Sequence, residues 1–299
     1  MLLLSREDIK SVFTMNDSIE AVKKAFMLYS DGKSEVPLRT NIQVPEHNGT
    51  LLFMPAYVGD LDTASLKIVN IFPENVKKGL PTAPAQVLLI DTNTGIVEAV
   101  LDGTYVTQLR TGAASGAAFD ALAVKDAKVG ALIGTGGQAA TQLEAMLCAR
   151  KLEKVKIFDM CKERLDAFVE RMSAELAEYG AELIAAESSD DAVTDADILV
   201  TMTPAKTPVF DASKCKKGVT VSCVGAYQPD MQEMDPVILE RASKIYFDSR
   251  SAVLAESGDI LIPLKEGRIT ENDFTGELGE VLSGRLVGRE NDDEIIVFE

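Results

Sequence analysis

The chain has 299 residues, a formal charge of −17, 46% hydrophobic and 26% charged residues. That balance is ordinary for a globular protein and leaves room for two cores, while the acidic excess argues against a nucleic-acid partner. No apolar run approaches the ~18 residues of a membrane span. Met1-Leu2-Leu3-Leu4 is too short and lacks the basic start of a signal peptide, so the cytoplasm is the expected compartment.

Taken in order, Ser5 to Asp8 opens a helix with a capping-box pattern. Asn16-Asp17-Ser18 reads as a second N-cap, with Ile19, Val22, Phe26 and Tyr29 on one stripe of a helix to Ser30, closed by Gly32. Strand-like segments follow at 39–44, 49–57 and 64–72, with turns at Pro45 to Gly49 and Gly59-Asp60. Pro81 and Pro84 precede a strand at 86–91, and Asn93-Thr94-Gly95 turns it into another at 96–101. A helix rich in Ala and Gly, 105–122, leads to an alternating region. There strands are expected at 129–133, 155–159, 182–186, 197–202, 219–224 and 244–247. Helices are expected at 138–150, 162–179 and 235–242, and a closing apolar run at 294–298. The fold class is therefore α/β: a Rossmann-type, doubly wound parallel sheet preceded by an α+β antiparallel-sheet domain.

The segment Lys128 to Asp159 organises the second half. A short apolar run, Val129 to Ile133, enters Gly134-Thr135-Gly136-Gly137-Gln138-Ala139, a G-x-G-x-x-A turn. A helical stretch and a second apolar run, Val155 to Phe158, end on Asp159. Gly134 permits a tight turn, Gly136 leaves space for a pyrophosphate, and Ala139 lets the helix approach the strand. Amides at the helix start face the phosphates. Asp159 is placed to accept hydrogen bonds from an adenosine ribose and to repel a 2′-phosphate. NAD(H) is thus the favoured dinucleotide, with NADP(H) possible because Lys162 follows closely. The competing reading is a βαβ unit whose glycines serve packing alone.

Other candidates are few. The four cysteines, Cys148, Cys161, Cys215 and Cys223, form no C-x-x-C pair and read as buried thiols. The single histidine, His47, sits in a turn, so no metal site is expected. Lys67 lies in an apolar strand, where snorkelling or pairing competes with catalysis. Arg110 is a lone charge among small residues and would suit a carboxylate or a phosphate. Arg39 follows Pro37 and carries little weight alone.

Five stretches together resemble a known family: Thr50 to Ala56; Lys67 with Asn70; Asp91 to Gly95 leading to Leu101 through Ala113; Ile133 to Gln138; and Val224-Gly225 with Pro229 and Glu233. The chain resembles the ornithine cyclodeaminase/mu-crystallin family over nearly its whole length. That resemblance implies homodimers joined through the first domain. It implies that Arg39 and Arg110 hold a substrate carboxylate and that Lys67 reaches the carboxylate or the reacting nitrogen. It aligns Thr82, Gly137, Gln138, Asp159, Thr203, Val224, Gly225 and Tyr227 with cofactor-contact positions. It also implies a substrate-binding and dimerisation domain at 1–115, rejoined by 285–299, and a dinucleotide domain at 116–284.

Two departures shift the expected activity. Tyr227 stands where cyclodeaminases carry an acid/base aspartate, and a phenol does not replace a carboxylate as base. The sequence also stops at Glu299, before the Ser-Val-Gly segment of the family, which puts full activity in question. The favoured expectation is NADH-dependent reduction of a cyclic imino acid such as Δ1-pyrroline-2-carboxylate to L-proline. The alternatives are ornithine cyclodeaminase, an alanine-type dehydrogenase and a non-enzymatic binding protein.

Overall fold

The computed structural model describes all residues, Met1–Glu299, and falls into two units, Met1–Arg110 and Thr111–Glu299. The first unit starts with β1 (Leu2–Leu4), α1 (Arg6–Val12) and α2 (Met15–Ser30). Ser5 and Asp8 form the expected capping box. The second box uses Thr14 with Asp17, so α2 begins earlier than Asn16-Asp17-Ser18 suggests. The hydroxyl that caps must lie three residues before the returning carboxylate.

The sheet of this unit comprises β1, β2 (Ser34–Glu35), β3 (Thr40–Val44), β4 (Gly49–Val58), β5 (Thr63–Ile71), β6 (Ala85–Asp91) and β7 (Val97–Asp102), in the order β1-β7-β6-β5-β4-β2 with β3 also on β4. All pairs are antiparallel except β1 on β7. The Leu2–Leu4 run is therefore an edge strand, paired to residues nearly a hundred positions away, which no local pattern announces. Leu52, Val69 and Ala85 make a small buried cluster on β4, β5 and β6.

Helix α3 (Gly103–Leu122) begins in the first unit and ends in the second. There follow β8 (Val129–Ile133), α4 (Ala139–Ala149), β9 (Lys154–Phe158), α5 (Lys162–Glu175), β10 (Glu182–Ala185), α6 (Ser189–Val193), β11 (Ile198–Thr201), β12 (Thr220–Cys223), α7 (Pro236–Arg241), β13 (Lys244–Phe247), α8 (Arg250–Glu256), α9 (Gly258–Glu266), β14 (Gly276–Glu277), α10 (Leu278–Leu282) and β15 (Ile296–Phe298). The eight strands form one parallel sheet, ordered β10-β9-β8-β11-β12-β15-β13-β14.

Alternate residues of one strand feed opposite cores, as a sheet covered on both faces requires. Ala131 and Ile133 pack with Leu199, Val221 and Phe247. Leu132 packs on the other side with Phe119, Leu143 and Ile157. The order reverses between β8 and β11, which creates a topological switch point at the carboxyl ends of those strands.

Residues 285–299 do not rejoin the first unit. Ile296–Phe298 are buried and pair with β12 and β13 in the parallel sheet. Arg289 fastens the approach to this strand. Its guanidinium donates to the carbonyls of Leu122 (2.7 Å), Glu294 (2.7 Å), Gly218 (3.0 Å) and Asn291 (3.1 Å) and to Thr220 Oγ1 (2.9 Å). A fully apolar triplet has more to gain between two strands than on a half-exposed sheet.

Candidate functional site

In the second unit the site is built at the switch point. Gly134 ends β8 with φ +100°, a conformation that side chains resist, and an added Cβ would meet Thr203 Cγ2 at 3.1 Å and the Met202 carbonyl at 3.2 Å. A Cβ on Gly136 would meet nothing within 4 Å, so the turn leaves open space in front of α4. The start of α4 receives no hydrogen bond from a capping side chain. Open space before a helix start that no side chain caps suits a phosphate group, and this is where the residues fit a dinucleotide.

Asp159, at the end of β9, is fully engaged. Its Oδ2 accepts from Thr135 N (2.9 Å), Thr135 Oγ1 (2.7 Å) and Arg164 Nε (3.2 Å). Its Oδ1 accepts from Cys161 N (2.9 Å) and a terminal nitrogen of Arg164 (2.6 Å). Burial by itself would raise the carboxyl pKa; the Arg164 guanidinium, the Cys161 amide and the Thr135 donors outweigh it and hold the group below its usual value. The side chain of Asp159 is 3% exposed and that of Arg164 58%. Lys162, the cation expected to act here, instead pairs with Asp166 one turn along α5 at 3.0 Å.

The loops after β11 and β12 are joined by Glu233, which is buried. Thr203 N donates to its Oε1, and Gly225 N donates to its Oε2 at 2.5 Å. A Cβ on Gly225 would overlap Glu233 Oε2 and the Thr203 carbonyl, so only glycine allows the clasp. Burial pushes the Glu233 carboxyl up to about 7 against the pull of the Thr203 donors and the Gly225 amide, with Asp259 adding to the rise. Asp259 Oδ1 in turn accepts from the amides of Glu233 and Met234, both at 2.8 Å. Val224 is tied to β11 through its amide on the Thr201 carbonyl at 3.0 Å. Tyr227 is 42% exposed, and the nearby Asp230 is ion-paired to Lys206 at 2.5 Å on the surface. Gly137 is exposed, and Gln138 stands at the N-cap of α4.

In the first unit the structure brings three of the expected residues together. Lys67 sits within β5, opposite Met54 on β4 and Val87 on β6. Arg39 precedes β3, and Arg110 lies on α3. The Lys67 ammonium is brought down to about 7 by burial, then by the positive charges of Arg110 and Arg39. Thr82 lies apart from the trio in sequence, exposed in the connection before β6, with its carbonyl accepting from Phe72 N at 2.8 Å.

Sequence reasoning overlooked Arg164 and the clasp by Glu233. The first had a legible signal: an arginine in the first turn of the helix that follows Asp159, where a helix N-terminus disfavours a cation. The second had none beyond the family motif, because Glu233 acts across loops.

Comparison with known proteins agrees with this architecture. A Δ1-pyrroline-2-carboxylate reductase of Bacillus cereus is 36% identical over 299 residues, covering 100% of this chain and 91% of the relative. The structure of Thermococcus litoralis Δ1-pyrroline-2-carboxylate reductase in complex with NADH and L-proline superposes with a TM-score of 0.94 at 42% identity, over 100% of this chain and 91% of that one. An archaeal alanine dehydrogenase dimer with bound NAD gives a TM-score of 0.90 at 35% identity, over 100% and 89%. The sequence profile described as the ornithine cyclodeaminase/mu-crystallin family matches residues 1–299, and the chain belongs to that family.

Proposed function

We propose that the protein is an NADH-dependent oxidoreductase that reduces a small cyclic imino acid of the Δ1-pyrroline-2-carboxylate type to a cyclic L-amino acid such as L-proline. The observation that carries this reading is the cluster of Arg39, Lys67 and Arg110, in which a lysine is held near pKa 7 by burial and by two neighbouring guanidinium groups. Lys67 lies in a half-buried strand, with Arg39 just before β3 and Arg110 on α3 raising the positive potential around it, and a substrate carboxylate suits that array. Arg39 and Arg110 bind and orient the substrate carboxylate. Lys67 is the proton donor to the imine nitrogen, since an ammonium of pKa near 7 gives up its proton readily at neutral pH. Gly134, Gly136, Gly137 and Gln138 hold the dinucleotide phosphates. Thr203, Val224, Gly225 and Tyr227 line the nicotinamide end, and Thr82 is a cofactor contact on the family resemblance alone. NADH, when bound, supplies the hydride that adds to the C=N carbon. The relatives named above, one a complex with NADH and L-proline, support the choice of substrate class and cofactor.

The archaeal alanine dehydrogenase favours one second reading, in which the same groups serve an open-chain amino or imino acid. A cyclodeaminase is disfavoured because Tyr227 is no carboxylate and Asp230 is committed to Lys206. The proposal includes a homodimer, supported by the dimeric alanine dehydrogenase, and a cytoplasmic setting; no helix is long and apolar enough to cross a membrane.

The test is NADH oxidation at the nicotinamide absorbance with cyclic imines, 2-oxo acids plus ammonia, and L-amino acids in reverse. Δ1-pyrroline-2-carboxylate is expected to give the highest kcat/KM. Conversion of L-ornithine to proline and ammonia without net NADH use would replace the reductase with the lyase. A bound nucleotide without turnover on any substrate would leave a binding protein.

A further inference from the structure

The end of β9 is the place where a nicotinamide dinucleotide is normally sorted by its adenosine 2′-substituent: a free carboxylate there welcomes two hydroxyls and repels a phosphate. In this chain the carboxylate is present but is not free. Asp159 accepts from Thr135 N, Thr135 Oγ1, Cys161 N and two nitrogens of Arg164. An ionised carboxylate offers about four lone-pair sites, so these donors exhaust it. Two come from Thr135 in the glycine turn after β8 and one from the Cys161 amide in the loop after β9, and together they pin the carboxylate against the glycine turn. The other two come from one guanidinium, which also cancels its charge.

What solvent meets at this position is therefore Arg164, with its side chain 58% exposed against 3% for Asp159. Arg164 lies in the first turn of α5, where the helix field is unfavourable to a cation. The interaction with Asp159 offsets that cost and sets the fork in place. Two donors of the fork bond Asp159, which leaves the remaining N–H groups for an incoming anion. Lys162 does not compete, being paired with Asp166.

We propose that Arg164 is a specificity-determining residue that makes this pocket tolerate a 2′-phosphate, so that the protein accepts NADPH as well as NADH, with the Asp159–Arg164 pair setting the ratio. A 2′-phosphate takes the outward donors of the guanidinium. With NADH, the ribose hydroxyl competes for one Asp159 oxygen and Arg164 swings outward. The inference deepens the reading of the protein as a dinucleotide-dependent reductase and rests on it.

The experiment is equilibrium binding, by nicotinamide fluorescence or calorimetry, of NADH and NADPH to the wild type, Arg164→Ala and Arg164→Gln. The wild type is expected to bind the two within about tenfold of each other. Both substitutions are expected to weaken NADPH by about 10- to 100-fold, the loss of a charge-assisted phosphate contact, and to change NADH by less than about threefold. Raising salt should weaken NADPH more than NADH in the wild type and lose that difference in the variants. Equal effects of Arg164→Ala on both dinucleotides, or NADPH binding more than about tenfold weaker than NADH in the wild type, would overturn the proposal while leaving NADH binding intact. Failure to bind either dinucleotide would instead remove the reductase reading. Arg164→Gln keeps one donor for Asp159, so a collapse of Asp159 in the alanine variant is recognised by its absence in the glutamine one.

Discussion

Lys67 and Asp159 are both charged side chains held inside a sheet-bearing unit, and their surroundings are opposite. Asp159 is met by donors from its own chain and titrates below its ordinary range. Lys67 is buried beside Arg110 and Arg39, and burial first, then those two positive charges, bring its ammonium from 10.5 down to about 7. A carboxylate met by donors of its own chain fixes local geometry; a lysine whose pKa is lowered by burial and by nearby guanidinium groups marks a candidate functional site. The first unit therefore carries the positive potential on which the proposed carboxylate site rests, and the second the open glycine turn that suits a dinucleotide.

The largest test of this contrast is Lys67→Met. Loss of a positioned proton donor should lower kcat by about 10²- to 10⁴-fold, with NADH affinity unchanged in a direct binding assay. Retained turnover would take Lys67 out of the mechanism. Next, Arg110→Ala should raise KM for a carboxylate substrate by about 10- to 100-fold through loss of a charged hydrogen bond.

The same substitution should move a titration. A lysine is cationic below its pKa, so kcat/KM should fall as pH rises through about 7, the free-protein value of Lys67. Removing a neighbouring positive charge lets the ammonium persist, and the falling limb should shift to higher pH in Arg110→Ala. An unmoved limb would assign it to another group. For stability the sign is also defined. The unfolded lysine keeps its proton to about 10.5 while the folded one releases it near 7, so stability contributed by this group rises with pH between those values.

Glu233 gives a smaller effect with the reverse slope. Its folded carboxyl holds a proton to about 7 where the unfolded one ionises near 4.5, so stability falls as pH rises across that window. Glu233→Gln should flatten this slope in thermal melts at several pH values. It should also cost about 1–3 kcal/mol, because an amide NH₂ then faces a backbone donor. The smallest effect is expected for Asp230→Asn, which breaks only a surface pair with Lys206: imine reduction should stay within about twofold. A large loss would bring Asp230 into the chemistry and restore the cyclodeaminase reading.

The parts legible in the sequence are those encoded by neighbours in the chain. Val129 to Asp159 could be read because strand, glycine turn, helix and strand each leave a local imprint, and β8, α4 and β9 fall within a residue of expectation. Ser5 with Asp8 could be read for the same reason. Lys67 and Arg110 stand out as lone charges among apolar or small residues, and Arg39 only through the family resemblance; their convergence depends on β4 and β5 pairing and on where α3 starts. What was not legible depends on distant partners. Leu2–Leu4 joins β7, Ile296–Phe298 slips between β12 and β13, and Glu233 clasps two loops. Asp159 was correctly placed at a strand end, but its five donors could not be foreseen from spacing. Cys161, read with the other thiols as buried, is exposed.

The position of β15 has a consequence for assembly during synthesis. β12 and β13 are made well before β15, yet they do not pair with each other; each turns one edge to the late strand that lies between them. Until residues 296–298 arrive, those two facing edges stay open, and such edges invite wrong partners. The sheet is thus closed like a vault, by a wedge added after the stones on both sides, and interruption of translation just upstream of Ile296 would leave a second unit prone to aggregate even though its glycine turn is already complete.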